Sequence, residues 1–496
     1  MLKQSGKGVI VVGAGLGGMA TACHLAGRGH DVTVLEHFGR PGGLARRVEA
    51  DGYRFDTGPT VITMPAILEA TFAAAGADMA DFVTMRPLDP LYRATFADGS
   101  TIHVRRGHDA MVAELRDEVG PQAAASFERF TAWLRQLYEA EFPAFIDRNF
   151  DSPLALLRPI APALALTRLG AFRRLSSVVA EYFDDERLQR LFSFQALYAG
   201  LAPQQALAVY AVITFMDSVE GVYFPEGGIA RIADGLERAA AKAGATFRYD
   251  SPVERIVLAG GNTGPVRGVR LAGGEFLAAD AVVCNANVAG AYQSLLPGLT
   301  PPRRVRRAHY SPSALVWHAG LRGPAPAEAA HHNIHFGGEW DQSFRQLLHE
   351  GTFMSDPSLL VSVPTVTDPD LAPPGRHILY ALEPVPNLDA PIDWHSQRDR
   401  RRHRLTQRLQ DLGYHIDVET EALWDPTDWQ RQGSDHGTPF SIAHRFSQSG
   451  PFRPSNLERR APGLVFTGAS TVPGVGVPMV LLSGRLAAAR VSEWLR

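Results

Sequence analysis

A glycine-rich turn between an apolar strand and a helix constrains the fold of this chain more than any other feature. The run Val9–Val12 has the continuous apolar pattern of a buried strand, and Met19–Ala26 has a helical pattern. The turn between them contains Gly13, Gly15, Gly17 and Gly18. In this G-x-G-x-x-G spacing the first glycine permits a tight turn, the second lets the backbone approach a pyrophosphate, and the last lets the helix pack on the strand. Since the helix N-terminus then faces the anion, the pattern predicts a dinucleotide-binding βαβ unit.

Glu36 narrows the choice of nucleotide. It ends the second strand, Val32–Leu35, about twenty residues after the turn, where an acidic side chain accepts hydrogen bonds from ribose hydroxyls. A glycine turn without a ligand would not need this carboxylate, and the carboxylate would repel a 2′-phosphate. Two further glycines and an arginine, Gly42, Gly43 and Arg46, follow where a larger cofactor would pass. The sequence therefore favours FAD over NAD.

Composition excludes several classes of protein. The 496 residues have room for about three domain-sized cores or one two-domain enzyme, and 45% hydrophobic with 20% charged residues is typical of a folded globule. A formal net charge of −3 gives no global reason to expect nucleic-acid binding. Cys23 and Cys284 are the two cysteines, so a disulfide framework or a cysteine zinc site is excluded. No export signal and no apolar run of about 18 residues is present, so we expect a cytoplasmic protein with at most peripheral membrane contact.

The pattern along the chain predicts two domains. Residues 121–222 are mainly helical, while the end of the chain shows a strand over Gly463–Phe466 and a helix over Pro478–Trp494. A nucleotide unit at the start and a strand-turn-helix at the end would close one domain from both termini. We predict a cofactor domain of residues 1–75, 222–300 and 455–496, and a substrate domain of residues 76–221 and 301–454 with a helical region at about 120–221.

Further motifs carry a family resemblance. They are Phe55-Asp56-Thr57-Gly58-Pro59-Thr60, Phe192-Ser193-Phe194-Gln195, Phe224-Pro225-Glu226-Gly227-Gly228, His331-His332, the segment 436–441, the segment 468–478 with its Pro-Gly-x-Gly-x-Pro element, and Ser483-Gly484. With the glycine turn, and in this order, they resemble the bacterial-type phytoene desaturases of the amine-oxidase-like FAD superfamily. The resemblance covers nearly the whole chain. It implies an α/β fold: a Rossmann-like FAD domain of the glutathione-reductase type, built from both chain ends, and an α+β substrate domain with an inserted helical region.

The resemblance also implies a cofactor site. The glycines of the turn would meet the pyrophosphate and Glu36 the adenosine ribose. The other implied residues are Gly42, Gly43, Gly58, Pro59, Gly468, Ala469, Gly476, Val477, Pro478 and Met479. The family usually has Gly-Gly-Arg where this chain has Gly43-Leu44, so Arg46 and Arg47 are the candidate replacements for a phosphate-contacting arginine. Relatives carry a proposed catalytic acid or base in the segment matching 151–158, where Asp151 is the nearest acid here, although it is out of register.

The implied activity is desaturation of phytoene toward lycopene. One hydrogen next to a conjugated triene leaves as hydride, because the resulting cation is delocalised, and the neighbouring hydrogen leaves as a proton. A hydrocarbon offers no polar handle, so binding must come from buried apolar area at roughly 25 cal/mol per Å². The helical region supplies candidate lining residues: Phe192, Phe194, Leu197, Tyr198, Tyr210 and Phe215.

An arginine-bearing apolar stretch predicts a membrane-facing surface. Residues 152–180 contain no acidic residue but include Arg158, Arg168, Arg173 and Arg174 among apolar residues. Such a segment is typical of a surface that meets anionic lipid head groups, here at the inner face of the cell membrane. The alternative is a buried helix pair with solvated arginines. The arginine clusters at 303–307 and 398–404 are interpreted as solvated faces or further lipid contacts.

Three other functions stay open at this point. One is a related desaturase or isomerase that acts on another isoprenoid. A soluble amine oxidase would use the same flavin, and a non-catalytic prenyl-binding protein would use none. His331, His332 and His335 lie in an extended segment without an evident carboxylate partner, so we assign no metal. The sequence leaves the oligomeric state open.

Overall fold

The computed structural model describes residues 7–152, 154–155 and 160–496. The strands are β1 Gly8–Val12, β2 Asp31–Leu35, β3 Arg47–Ala50, β4 Tyr53–Asp56, β5 Ile62–Thr63, β6 Met85–Pro87, β7 Tyr92–Thr95, β8 Thr101–Val104, β9 Val222–Pro225, β10 Thr246–Arg248, β11 Val253–Leu258, β12 Val266–Leu271, β13 Phe276–Ala278, β14 Ala281–Cys284, β15 Ser313–Arg322, β16 His332–His335, β17 Leu359–Ser362, β18 Arg376–Val385, β19 Val418–Trp424 and β20 Leu464–Phe466. The helices are α1 Leu16–Ala26, α2 Pro65–Ala74, α3 His108–Glu118, α4 Pro121–Glu141, α5 Ile160–Arg168, α6 Leu175–Tyr182, α7 Glu186–Leu191, α8 Val212–Thr214, α9 Ala230–Lys242, α10 Val288–Gly290, α11 Arg303–Arg306, α12 Trp340–Arg345, α13 Trp394–Asp411, α14 Pro426–Arg431 and α15 Val477–Trp494.

A five-stranded parallel sheet holds the two chain ends together. Its order is β10-β2-β1-β14-β20, and every neighbouring pair is parallel. The central strands β1 and β14 are almost wholly buried and apolar, as strands covered on both faces must be. This confirms the predicted α/β class and the parallel sheet. Helix α1 begins at Leu16, three residues before the sequence pattern placed it, because two of the turn's glycines lie inside its first turn.

Two helices from opposite ends of the chain pack closely over this sheet. Thr21 Oγ1 of α1 donates to the carbonyl of Gly484 in α15 at 3.2 Å. A Cβ at Gly484 would lie 2.6 Å from Gly17 O and from Ala20 Cβ, so the close approach of the two helices needs a glycine there. The Ser483-Gly484 pair at the end of the final motif therefore belongs to a packing contact.

A second, larger sheet has seven strands. Its order is β19-β15-β18-β17-β16-β7-β8, antiparallel except for β16 with β7. The ten-residue strands β15 and β18 pair along their full length, with Trp317 opposite Ala381. The strands of the parallel sheet fall within 1–75, 222–300 and 455–496, and those of the larger sheet within 76–221 and 301–454. The two-domain division remains our proposal.

Two separated sequence motifs meet at one carboxylate. Asp56 accepts hydrogen bonds from the N–H groups of Ile229 at 2.8 Å and Ala230 at 3.2 Å, at the start of α9. A Cβ at Gly228 would lie 2.9 Å from an Asp56 oxygen, so the Phe-Pro-x-Gly-Gly motif must end in glycine to let the carboxylate approach. Burial raises the pKa of Asp56 to about 7, although these two hydrogen bonds lower it in part. The contact holds the following loop, residues 57–60, against the cavity described next.

Candidate active site

A continuous cavity of about 1070 Å³ joins the glycine turn to the helical region. Gly13, Gly15 and Gly17 line one end, while Phe194 and Tyr198 line the other. The carboxyl ends of parallel strands bring the turn after β1, Glu36 after β2 and Asn285 after β14 to the same edge. The cavity therefore lies where an open parallel sheet places its ligand.

Most residues predicted to bind the cofactor line this cavity. They are Gly13, Gly15, Gly17, Glu36, Gly42, Gly43, Gly58, Pro59, Gly468, Ala469, Gly476, Val477, Pro478 and Met479. Gly18 lies behind the lining, because a Cβ there would sit 2.1 Å from Gly13 O, and its place is the contact between helix and strand. Arg46 also lies outside the lining. Its guanidinium stacks 3.8 Å from the Phe38 ring centroid and donates to Gln432, and both of these residues line the cavity. A role of Arg46 beside the cofactor stays a prediction.

The glycine turn leaves space for an anion but not for side chains at Gly15 and Gly17. A Cβ at Gly15 would lie 2.7 Å from Asn285 Nδ2, and one at Gly17 would lie 2.8 Å from Asn285 Oδ1. Helix α1 has no side-chain cap and no acidic residue in its first turn, so its N-terminal N–H groups have no competing carboxylate. This donor set fits a pyrophosphate. Sequence reasoning missed Asn285, although its position directly after the apolar run Ala281–Cys284 was a usable signal.

Glu36 is held as an ionised acceptor at the cavity wall. Its Oε2 accepts from the Ala14 N–H at 2.7 Å, and its Oε1 accepts from the Phe38 N–H at 3.0 Å. Burial by itself would raise the pKa of Glu36, but the hydrogen bonds from His37, Phe38 and Ala14 hold it below its ordinary value. A buried carboxylate fixed in this way fits the hydroxyls of a ribose.

The second helix N-terminus at the cavity belongs to α15. Gly476 precedes it at φ 110°, and Val477, Pro478 and Met479 form its first turn. This turn carries no acidic residue and no side-chain cap, and it lines the cavity. Two uncapped helix N-termini and one ribose-type carboxylate along one cavity fit a flavin dinucleotide.

Arg453 braces the tail segment from behind, a role that the sequence did not indicate. Its fully buried guanidinium donates from Nε to Thr471 O at 2.9 Å and from Nη2 to Ala469 O at 2.7 Å and Ile442 O at 3.1 Å. Burial lowers the pKa of Arg453 to about 10, so it stays charged at neutral pH. The segment after Gly468 is therefore held by side-chain bonds to its carbonyl groups.

The helical region supplies part of the predicted channel. Phe194, Leu197, Tyr198 and Tyr210 line the cavity. Phe192 does not, because it packs in a buried aromatic cluster, 5.0 Å from the Phe183 ring. Phe215 is likewise a core residue, stacked 4.8 Å from Tyr138. The expectation for these two residues is corrected, because aromatic spacing along a helix does not reveal which face meets a cavity and which meets the core.

Four ionisable groups that sequence reasoning did not single out as site residues also line the channel: Glu141, Asp217, His332 and His444. Oε2 of Glu141 has no hydrogen-bond partner among the described residues, and burial raises the pKa of Glu141 well above its usual value. Burial lowers the pKa of His332 to about 4, so its ring is neutral. Burying a polar group without a hydrogen-bond partner costs free energy, so these groups are candidates for a function in the channel.

Asp151, the candidate acid or base, lies outside the cavity. Its side chain is 63% exposed and pairs with Arg490 at 2.5 Å, while its carbonyl accepts from Arg459. An exposed ion pair on the surface cannot reach a buried substrate. A proton acceptor for a buried substrate would therefore have to lie in the cavity wall.

Two partly exposed phenylalanines line the cavity and mark a candidate opening of the channel. Phe172 and Phe446 line the cavity, are 46% and 51% exposed, and have ring centroids 6.2 Å apart. Helix α5 borders them: Ala163 and Leu166 line the cavity while Ile160 and Leu164 are exposed. We call Ile160, Leu164, Phe172 and Phe446 the mouth patch. An apolar rim around a channel opening marks an interaction surface.

The arginines predicted to face a membrane differ in their contacts. Arg173 pairs with Glu181, so its charge is balanced, and Arg174 donates to Gln205 O at 2.6 Å. Arg168 is exposed at the end of α5, and Arg158 lies outside the described residues. Of the helices that the structure describes, none has the length and apolar character needed to cross a bilayer. Nor does the described part of the chain group three or more His, Cys, Asp or Glu side chains in a way that could hold a metal.

The parallel sheet, the glycine cradle and the ribose-type carboxylate define a flavin-dependent oxidoreductase whose cofactor is FAD. Residues 16–492 match the family of flavin containing amine oxidoreductases. The chain belongs to this family, and within it to the bacterial-type phytoene desaturases.

Three curated relatives illustrate the match. A phytoene dehydrogenase of Streptomyces griseus is 46% identical over 98% of this chain and 95% of its own length. A zeta-carotene-forming phytoene desaturase of Myxococcus xanthus is 39% identical over 99% and 94%. A lycopene-forming phytoene desaturase of Pseudescherichia vulneris is 32% identical over 99% and 100%.

Solved structures agree on the fold. An oxidoreductase from Methanosarcina mazei superposes with a TM-score of 0.61 over 98% of this chain and all of its own, at 19% identity. A putrescine oxidase bound to putrescine gives 0.58 over 98% of each chain, at 14% identity. At these identities the likeness concerns the fold alone.

Proposed function

We propose that the protein is an FAD-dependent carotenoid desaturase that removes hydride and proton across saturated C–C bonds of phytoene and extends conjugation toward lycopene. The continuity of the cavity carries this proposal: the space beside the two helix N-termini leads directly into a channel lined mainly by apolar side chains. A long hydrocarbon is the substrate class that such a channel suits, and the relatives named above act on phytoene by their names.

The cofactor would be held by residues of both chain ends. We propose that Gly13, Gly15 and Gly17 with the N-terminus of α1 bind the pyrophosphate and that Glu36 binds the ribose. The segment around Gly468 and the N-terminus of α15 would border the flavin. When bound, FAD supplies the hydride acceptor of the reaction.

The channel would bind and orient the hydrocarbon. Phe194, Leu197, Tyr198 and Tyr210 offer apolar surface, and burying such surface contributes roughly 25 cal/mol per Å². The same walls exclude water from the reacting carbons, so few catalytic side chains are required.

Expression in cells that accumulate phytoene tests the function. We expect phytoene to decrease and more conjugated carotenes to appear in pigment chromatography, with purified protein that is yellow and flavin-loaded. A flavin-loaded protein that leaves phytoene unchanged would point to another isoprenoid. Turnover of amines with release of peroxide would instead point to an amine oxidase, and a protein without flavin to a prenyl-binding function.

We further propose that the mouth patch contacts the inner face of the cell membrane. The patch surrounds the channel opening, so a substrate dissolved in lipid would enter without crossing water. Exposed Arg168 and Arg174 near the patch would add attraction to anionic head groups, whereas the charge of Arg173 is already balanced by Glu181.

Serine at both Phe172 and Phe446 should weaken liposome binding at least about tenfold, because burying each phenylalanine contributes about 1.5–3 kcal/mol. Co-sedimentation with phosphatidylcholine and phosphatidylglycerol vesicles measures this loss. Phe276→Ser is the matched control, since Phe276 is 44% exposed on β13 and does not line the cavity. Equal liposome binding by the double variant and the control would refute a membrane contact through the mouth patch.

A further inference from the structure

We propose that Asp217 accepts the proton that leaves the substrate during desaturation, an assignment that rests on the proposed carotenoid chemistry. Asp217 lies in the π-helical turn Phe215–Val219 that follows α8, and its buried side chain lines the channel. The reaction must lose one proton inside a space that excludes water, so a basic atom in the wall is required.

The helical turn that carries Asp217 also contacts residues near the first turn of α15. Met216, the neighbour of Asp217, packs with Met64 and Val212, and Met479 from the first turn of α15 packs against this small cluster. The turn that carries Asp217 therefore adjoins the helix that would border the flavin. Asp151, by contrast, lies on the surface.

Hydrogen bonds to one oxygen of Asp217 would stabilise a negative charge on its carboxylate. Oδ1 accepts from Ser218 Oγ at 2.5 Å and from Gln195 Nε2 at 3.4 Å. Ser218 is in turn bonded to Tyr92 OH at 2.9 Å. Both side-chain bonds go to Oδ1, and the backbone N–H of Ser218 also supports the carboxylate. Among the described residues no side chain donates to Oδ2, and we assign this oxygen the role of proton acceptor. Burial raises the pKa of Asp217 to about 7, with the bonds from Ser218 and Gln195 opposing part of that rise.

The ionisable groups near Asp217 do not change their protonation state around neutral pH. Tyr92 on β7 and Tyr198 on the neighbouring helical turn are buried beside it, and the pKa of each is raised, so both stay neutral. The His332 ring lies 6.1 Å from the Tyr92 ring and is neutral because burial lowers its pKa to about 4. Asp217 is therefore the member of this cluster that changes charge near pH 7.

Two other channel groups are less suited to the role. Oε2 of Glu141 has no hydrogen-bond partner among the described residues, so a negative charge there would lack support. Burial also raises the pKa of Glu141 well above its usual value, which disfavours the ionised form that a base needs. His444 Nε2 already accepts from the Val475 N–H at 3.4 Å, and burial lowers the pKa of His444 well below its usual value, which makes its ring a poor base. Of these three wall groups, Asp217 is the carboxyl group whose negative charge is supported by hydrogen bonds.

Hydride and proton would leave the substrate from adjacent carbons. One C–H bond would lose its hydrogen with both electrons, for which FAD, when bound, would supply the acceptor, and an electron-poor carbon would remain. The C–H bond on the adjacent carbon then breaks, its electron pair completes the new C=C bond, and its proton forms an O–H bond at Asp217 Oδ2. The negative charge of Asp217 disappears as the positive charge of the substrate does, and the one negative charge that remains is the charge that the hydride would bring to the flavin.

Asp217→Asn tests the assignment in the holoenzyme. We expect at least a 100-fold loss of phytoene desaturation with the flavin content unchanged, since general bases typically contribute 10²–10⁴-fold. The wild-type rate should rise with pH through about 7, because the ionised form is the active one, and Asp217→Glu should restore part of the rate with a shifted profile. Asp151→Asn is the matched control and should keep the wild-type rate, since its carboxylate lies outside the cavity.

Infrared difference spectra between pH 5 and pH 9 give a readout that does not depend on turnover. Two buried carboxyl groups, Asp56 and Asp217, should lose their protonated C=O bands with apparent pKa values near 7 in the wild type. In Asp217→Asn we expect the contribution of Asp217 to be missing and that of Asp56 to remain. Undiminished desaturation by a flavin-loaded Asp217→Asn variant, or a titrating band of wild-type size in that variant, would overturn the proposal. Failure of the flavin-loaded wild type to consume phytoene would instead overturn the proposed function. The infrared titration does not depend on turnover, so it would still show whether Asp217 ionises near pH 7.

Discussion

Replacing Gly15 by valine is expected to leave a folded protein that retains little FAD. A Cβ at this position would already lie 2.7 Å from Asn285 Nδ2, and the added methyl groups would occupy the space in front of the N-terminus of α1. The backbone of Gly15 has φ −69°, so valine introduces no backbone strain, and the effect falls on the ligand. We expect FAD binding at least about 100-fold weaker, which corresponds to about 2.7 kcal/mol.

The flavin-to-protein ratio of the purified variant and flavin fluorescence titration of the apoprotein measure this loss. Gly8→Ala is the control within the same βαβ unit, because a Cβ at Gly8 meets nothing within 4 Å. Circular dichroism and thermal unfolding of the apoproteins establish that both variants fold. Normal flavin content in Gly15→Val would mean that the pyrophosphate does not lie against this turn.

Replacing Arg453 by methionine is expected to lower the free energy of unfolding by about 3 kcal/mol or more and to reduce flavin retention. Methionine keeps much of the volume but leaves the carbonyls of Ala469, Thr471 and Ile442 without their donor. Each buried acceptor left unsatisfied costs about 1–3 kcal/mol. The effect on flavin follows because Ala469 lines the cavity and loses the bond that fixes its carbonyl.

Chemical denaturation of the apoprotein and flavin content of the holoprotein separate the two effects. Arg453→Lys should recover part of the stability, because one ammonium can reach fewer carbonyls than the planar guanidinium. Arg267→Met, at an exposed position on β12, is the control for loss of an arginine as such. If Arg453→Met matched that control in both measurements, the bracing role of Arg453 would have to be abandoned.

The nucleotide unit was predictable because its signals are local. The glycine spacing after Val9–Val12 and Glu36 after the second strand lie within one βαβ unit, and the backbone reasons for each glycine do not depend on the rest of the chain. The substrate side was not predictable in the same way. Phe192 and Phe194 are two residues apart, yet the first lies in an aromatic core and the second in the channel, since the chain turns between them.

The sequence patterns also did not identify isolated polar residues that the fold buries among apolar side chains. Arg453, Asp217 and Glu141 have no motif spacing of their own, and their burial results from elements far away in the sequence. Arg453, for example, bonds to carbonyls on either side of it along the chain, which only the tertiary fold brings around its guanidinium. Asp151 shows the converse: position in the sequence suggested a catalytic acid, while its pairing with Arg490 holds it at the surface.

Local sequence patterns by themselves predicted the dinucleotide turn, the acidic residue beside it and the parallel sheet. The tertiary structure decided which side chains face the channel, which carboxyl groups stand in its wall and which apolar side chains are exposed beside it. The reason is physical: a turn is specified by the torsion angles and contacts of neighbouring residues, whereas burial and the shift of a pKa depend on every element that packs around a group.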